Sequence, residues 1–248
     1  MNSEMQYPCN KIELEQLYEL LLHAYGPQGW WPILSKRNSG AYDSYGYHPS
    51  KPGTPTKEDI FEIAVGAVLT QNTAWRNVVT AMESMMAKKI LSTERISALR
   101  AEELADCIKA SGYYNQKAKK VKLLASRFIR SSWDSKEPSR EELLALWGIG
   151  METADSILLY GYGKPVFVVD AYTKRLFYRL GCIRENTPYE KVRSLAESSL
   201  KLTFGEEGIS RVFSEFHALI VRHGKTFCGK IPKCETCILS RKRQNGHI

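Results

Sequence analysis

The stretch LWGIGMETADSILLYGYGKPVFVVDAYTKR, from Leu146 to Arg175, decides how the rest of the chain is read. Two short helical segments flank a Gly-Ile-Gly turn at Gly148, Ile149 and Gly150. An apolar connector, Val166 to Val169, follows and ends on Asp170, where the helical pattern resumes. Glycine at both ends of such a turn removes the Cβ atoms that would hold another molecule away from the backbone. The amides of the turn and of the next helix then point outward and suit an anion such as a phosphodiester. A tight helix-helix corner needs the same glycines, so the turn alone leaves both readings open. Asp170 is equally double: it stands where an N-cap would open the helix AYTKRLFYRLG, and a buried carboxylate there can also stabilise developing positive charge.

Outside this stretch the pattern is helical. Ile12, Leu14, Leu17, Leu20, Leu21 and Ala24 recur at helical spacing and predict an amphipathic helix over residues 11 to 25. Residues 26 to 56 are rich in Gly, Pro, Ser and Tyr, which predicts a long loop, closed by a helix start signal at Thr56. From Lys57 to about Tyr162 one apolar stripe follows another near period 3.6, in EDIFEIAVGAVLTQN, TAWRNVVTAMESMMAKK, STERISALRAEELADCIKAS, NQKAKKVKLLASRFIRSS and SREELLALWGIG. Val166 to Val169 is too short to separate a strand from a buried connector. After Asp170 come AYTKRLFYRLG, PYEKVRSLAESSLKL and GISRVFSEFHALIVRHGK, with no tandem repeat and no low-complexity tract. The predicted fold class is all-α.

The 248 residues are 43% hydrophobic and 25% charged, which excludes a disordered chain and fits one large domain or two intimate ones. No apolar run approaches the roughly 20 residues that cross a bilayer, and the N-terminus has a helical period in place of a signal peptide's apolar core. The expectation is therefore a cytoplasmic protein with no membrane contact. A formal charge of +8 and a pI near 9.1 make a polyanion a natural partner. Of six cysteines, Cys9, Cys107 and Cys182 are scattered, while Cys228, Cys234 and Cys237 crowd into FCGKIPKCETC. In a cytosolic chain such a cluster suggests metal before disulfide.

Leu146, Gly148, Ile149, Gly150, Thr153 and Ala154, followed by Asp170, match the mark of the helix-hairpin-helix DNA glycosylases, the endonuclease III superfamily. VLTQNT, GYYNQKAKKV and FHALIVRHGKTFC resemble other segments of that family, so the resemblance spans about Phe61 to Cys237. GWWP, at Gly29 to Pro32, together with GAVLTQNT and SGYYNQKAKK, is similar to the bacterial 3-methyladenine DNA glycosylase III branch. The resemblance implies a two-lobed fold. A six-helix barrel over residues 58–164 would end in the hairpin, about 143–163, and a second lobe would combine 1–57 with 165–248. Damaged double-stranded DNA would lie across the basic face at their junction, bound by a nucleoid-associated monomer.

Carried over residue by residue, the resemblance makes Asp170 the catalytic aspartate and Gly148, Ile149 and Gly150 backbone contacts. Gln71 and Asn72 fall at the wedge that fills the gap left by a flipped nucleotide. Asn115 and Lys117 become a further backbone contact, with Lys119 and Lys120 beside them, although a lysine run is also commonly a solvated face. Trp30 and Trp31 suit the base pocket, since indole faces attract a positively charged alkylated purine; packing of the loop is the other reading. His217, in an apolar helix, reads as a core or supporting histidine.

Two departures narrow the chemistry. Members that also cleave the strand carry a lysine four residues after the first hairpin glycine; here that position is Glu152, and a carboxylate forms no imine. Lys164 and Lys174 flank Asp170 as poor substitutes. The expected enzyme is a monofunctional base excision repair glycosylase for an alkylated purine. The alternatives are a bifunctional glycosylase and lyase for oxidised pyrimidines, and a non-catalytic damaged-DNA binder. The second departure lies in the cysteines: Cys228, Cys234 and Cys237 approximate the family's four-cysteine [4Fe-4S] loop, but the first spacing is one residue short and the fourth cysteine's place falls within RKRQ. An incomplete cluster, zinc with His247 or Cys9 as fourth ligand, or an empty loop all remain open. Lys225, Lys230 and Lys233 would face phosphate in any case.

Overall fold

A computed structural model describes residues 12–49, 54–133 and 135–240. The described residues are helical, with no extended strand, so the fold class is all-α as expected. None of these helices is long and apolar enough to cross a membrane. The chain forms two compact units, one of residues up to Gln28 with Pro165 onward, the other of Gly29–Lys164.

The second unit is built around α2 (Lys57–Leu69). Thr56 opens it with a reciprocal cap: its Oγ1 accepts from the Asp59 amide at 3.3 Å and its own amide donates to Asp59 Oδ2 at 2.8 Å. Every residue from Phe61 to Leu69 is buried, the signature of a central helix. Around it pack α3 (Trp75–Ala87), α6 (Tyr114–Ser131) and α8 (Met151–Ser156), which runs on as a wider turn through Ile157–Gly161.

The stripe from Ser92 to Ser111, expected as one helix, breaks into α4 (Thr93–Ala98) and α5 (Ala101–Cys107). Leu99 is extended, and the Arg100 amide finds Glu103 Oε2 at 2.9 Å to start afresh. The α6 ammonium of Lys122 takes up the carbonyls of Ile96, Ser97 and Leu99 that the break leaves open.

The expected boundary near residue 57 is corrected. Residues 29–49 belong with α2, because its carboxylates anchor them: Glu62 Oε1 accepts from the Leu34 and Ser35 amides at 2.5 and 3.2 Å, and Asp59 pairs with Lys36. Side-chain acceptors on a fixed helix replace the backbone partners that this irregular segment lacks.

The other unit packs α1 (Leu14–Tyr25) against α10 (Tyr189–Phe204) and α11 (Ile209–Thr226), with α9 (Ala171–Arg179) on α11. Its core holds Leu17, Leu21, Phe177 and Phe213, and Phe167 meets Phe213 edge-on at 5.7 Å between ring centres. Val166 to Val169 is a buried connector, not a strand. Side chains of α10 satisfy its amides: Phe167 donates to Glu197 Oε1 at 2.9 Å and Val169 to the Tyr189 hydroxyl at 3.3 Å.

Candidate functional site

The hairpin joins α7 (Arg140–Leu144) to α8, and an ion pair between a half-buried arginine and a buried aspartate fixes the corner. Arg140 forks onto Asp155, Nε to Oδ1 at 2.6 Å and Nη2 to Oδ2 at 3.1 Å. Gly148 has φ +82°, a left-handed conformation that favours glycine, and it lies close against the flexible side chain of Lys120. Ile149 is buried and anchors the turn from below. Gly150 caps α8 without a side-chain acceptor for the first-turn amides, and a Cβ there would meet open space. The turn can therefore accept an anion, and Trp147 stands beside it 56% exposed, with the Lys120 ammonium 5.9 Å from its ring centre.

Gln71, expected as part of a wedge, is spoken for within this unit. Its Nε2 donates to Gly148 O at 3.0 Å and Thr153 Oγ1 at 2.9 Å, while Lys120 Nζ donates to its Oε1 at 2.6 Å. Asn72 next to it is exposed with φ +52° and Asn115 is exposed at the start of α6, so the geometry leaves both side chains accessible. Lys117 is a correction. Only 2% exposed, its ammonium donates to Leu69 O at 2.8 Å and Ser111 O at 2.7 Å, and burial, with Lys120 nearby, lowers its pKa to about 8. A lysine consumed in capping α2 supports the Gln71 turn from inside and does not reach phosphate.

Trp30 and Trp31 come together with Trp75 and Tyr160. Trp31 lies 5.4 Å from Trp75 and 5.2 Å from Tyr160 between ring centres, and Trp30 is 6.0 Å from Trp31. Gly66 on α2 admits the buried Trp31, since a Cβ there would approach its Nε1 to 3.2 Å. Trp31 is thus the packed layer, and the half-buried Trp30 and Trp75 are the rings with remaining accessible surface. Trp75 went unnoticed in the sequence, although it follows QNTA directly.

Asp170 is held at the end of the buried connector as the N-cap of α9. Its Oδ1 accepts from the Thr173 amide at 2.7 Å and Thr173 Oγ1 at 2.9 Å, and its Oδ2 lies 3.8 Å from Nε2 of the buried His217. Burial pushes its pKa up, but His217 and the Thr173 donors outweigh that, and the carboxyl is held below its ordinary value. Cap and ionised carboxylate coexist. Lys225, exposed near the end of α11, has its pKa lowered by desolvation, and the charge of Asp170 acts in the opposite direction. Lys164 pairs with Glu137 instead.

The cysteine loop follows α11. Cys228 and Cys237 are buried, Cys234 is half-buried, and all three are free thiols. Cys228 Sγ accepts from Arg179 Nη1 at 3.2 Å, and Cys237 Sγ meets His223 Nε2 at 3.5 Å, whose Nδ1 is bonded to the Tyr25 hydroxyl at 2.8 Å. Burial lowers His223 to about 4, and burial together with Cys237 raises Tyr25 to about 12. Among the described residues no three His, Cys, Asp or Glu side chains are drawn together to hold a metal ion. Cys9 and His247 lie outside the described residues. Cys228, Cys234 and Cys237 border one cavity, one thiol short of the four that hold a [4Fe-4S] cluster.

Comparison with known proteins places this geometry. Residues 65–201 match the HhH-GPD superfamily base excision DNA repair proteins. A Methanocaldococcus jannaschii protein named as a DNA repair glycosylase is 35% identical over 92% of this chain and 94% of its own. Endonuclease III of Thermotoga maritima is 30% identical over 79% of this chain and 91% of its own. Among solved structures, the Helicobacter pylori 3-methyladenine DNA glycosylase bound to 1,N6-ethenoadenine superposes with a TM-score of 0.66 at 27% identity, over 86% of this chain and 98% of that one.

Proposed function

Because the chain belongs to the HhH-GPD superfamily of base excision repair proteins and is a DNA N-glycosylase, we propose that it is monofunctional and releases alkylated purines from DNA. One observation carries the monofunctional reading: Glu152, in the first turn of α8, occupies the position where strand-cleaving members of the family carry the attacking lysine.

Asp170 then works by charge. A carboxyl held below its ordinary pKa is ionised throughout the neutral range and is a weak base. As the C1′–N bond lengthens, positive charge gathers on the sugar and the carboxylate stabilises it. Water, oriented by Asp170, adds to C1′ as the neutral base departs with the C1′–N bonding pair, and the proton of the resulting oxonium passes to solvent after the C–O bond has formed. An alkylated purine carries its own positive charge and leaves as a neutral base, so the reaction needs little help from an acid. The likeness to the H. pylori enzyme and the ring group of Trp30, Trp31, Trp75 and Tyr160 support this substrate class. Gly148, Ile149 and Gly150 serve as the phosphate contact, and Asn72 and Asn115 as further DNA contacts.

A second reading, the bifunctional one, needs an amine elsewhere to attack C1′ and cleave the strand, and Lys225, which feels the charge of Asp170, is the first to test. Duplexes carrying 3-methyladenine, an oxidised pyrimidine or a mismatch, assayed in parallel for released base, test the substrate class. Release of the alkylated purine at least tenfold faster than the others is expected; preferential release of the oxidised pyrimidine overturns it.

A further inference from the structure

We propose that the C-terminal cysteine loop of this chain is closed by an arginine clamp from α9 and takes no iron-sulfur cluster. The donors come first. At the place of the family's fourth cysteine the sequence reads RKRQ, so the loop supplies three thiols for a cluster usually held by four. Cys228, Cys234 and Cys237 border the same cavity, but two of the three thiols already have partners. Cys228 Sγ is turned to Arg179, and Cys237 Sγ to His223 and to the Leu239 amide, which donates to it at 3.4 Å.

Space is the second argument. The cavity bordered by His223, Cys228, Cys234 and Cys237 offers about 10 Å³, near the minimum for a single water. Leu176, Leu180, Phe227, Pro232 and Leu239 line it as well, together with Arg179. A cubane of four irons and four sulfides is far larger than one water.

What a cluster would do for the loop, the guanidinium groups of α9 already do. Arg175 Nε donates to Cys228 O at 2.7 Å, Arg179 Nη1 to Gly229 O at 2.7 Å and Arg179 Nη2 to Lys230 O at 3.0 Å. Three successive carbonyls, which an irregular loop cannot pair internally, are thus taken up by two rigid forks one helical turn apart. The Lys233 amide closes the loop onto Phe227 O at 2.8 Å. Arg175 and Arg179 stand on the helix that Asp170 caps, so the clamp ties the loop directly to that helix.

The test uses the full chain, purified without oxygen from iron- and zinc-supplemented medium. Iron, acid-labile sulfide and zinc should each remain below about 0.1 equivalent per chain, and a chelator should leave the melting midpoint within ~1 °C. Arg179→Met should lower that midpoint by roughly 4–10 °C and speed tryptic cleavage after Lys230 or Lys233, whereas Cys234→Ser should do neither. If Arg179→Met does not fold, Arg179→Lys is measured instead, since it keeps the charge and loses the fork. Stoichiometric iron with sulfide, or zinc whose removal lowers the midpoint, overturns the proposal. So does an Arg179 variant that melts and digests like the parent.

Discussion

Replacing Asp170 with Asn removes one charge and almost no volume. The Oδ1 position still accepts from Thr173, and Asn caps helices about as well as Asp, so the α9 start survives. Folding loses the interaction of the anion with the helix N-terminus, roughly 0.3–1 kcal/mol, and with His217. For a protein of this size that lowers the melting midpoint by only a few degrees, about 2–4 °C per kcal/mol. Catalysis loses far more. A unit charge about 4 Å from a developing oxocarbenium, at an effective dielectric of about 20, is worth about 4 kcal/mol, or roughly a thousandfold in rate. Single-turnover release of 3-methyladenine should therefore fall by about 10³ while DNA affinity changes by less than about threefold. The pH dependence has a fixed sign. Since the folded pKa lies below the unfolded one, the ionised carboxylate stabilises the fold above the unfolded value, and that stability disappears as pH falls through the folded value. The stability gap between parent and Asp170→Asn should close as the medium is acidified. A variant that releases base within tenfold of the parent would refute the charge argument, and one that abolishes turnover by unfolding would show the cap to be the main role.

Gln71→Ala removes the bonds to Gly148 O and Thr153 Oγ1; DNA affinity should weaken about tenfold for the roughly 1–1.5 kcal/mol of hairpin support lost, and unchanged affinity in a titration would refute it. Lys117→Met leaves Leu69 O and Ser111 O without their donor and should destabilise by about 2–3 kcal/mol in denaturant melts, with the salt slope of DNA binding unchanged; a slope smaller by about one unit would restore Lys117 to the phosphate contacts. Because the folded pKa of Lys117, about 8, lies below that of a free lysine, the parent should gain stability relative to this variant as pH rises from 8 toward the unfolded lysine value near ~10.5; a parallel pair of pH profiles would contradict that. Trp147 is exposed beside the hairpin, so DNA should quench tryptophan emission in the parent by clearly more than in Trp147→Phe; equal quenching would place the contact elsewhere.

Much of this arrangement was legible because it is local. The Gly148-Ile149-Gly150 turn and the Asp170 cap are each set by a few consecutive residues, and periodic apolar stripes announce helices wherever a face is buried. What was not legible depends on residues distant in sequence. Lys117 reads as one of a solvated run, and its burial is explained by the open carbonyls of Leu69 and Ser111, which lie outside its own helix. Gln71 reads as a polar helix end until Gly148, Thr153 and Lys120 converge on it. Trp75 sits in an ordinary amphipathic stripe, and its partnership with Trp31 depends on the long loop folding back over α2. The same holds for Arg179, whose forked contacts to the cysteine loop have no local signature. The break at Leu99 was hidden because both halves of that stripe keep the helical period while one capping bond resets the axis.

The most direct measurement follows base release and strand nicking together on a 3-methyladenine duplex, with borohydride added to a parallel sample. The account predicts abasic sites that nick only after alkali, with no covalent adduct. Nicking without alkali, with a trapped adduct that disappears in Lys225→Ala, would contradict it and make Lys225 the attacking amine.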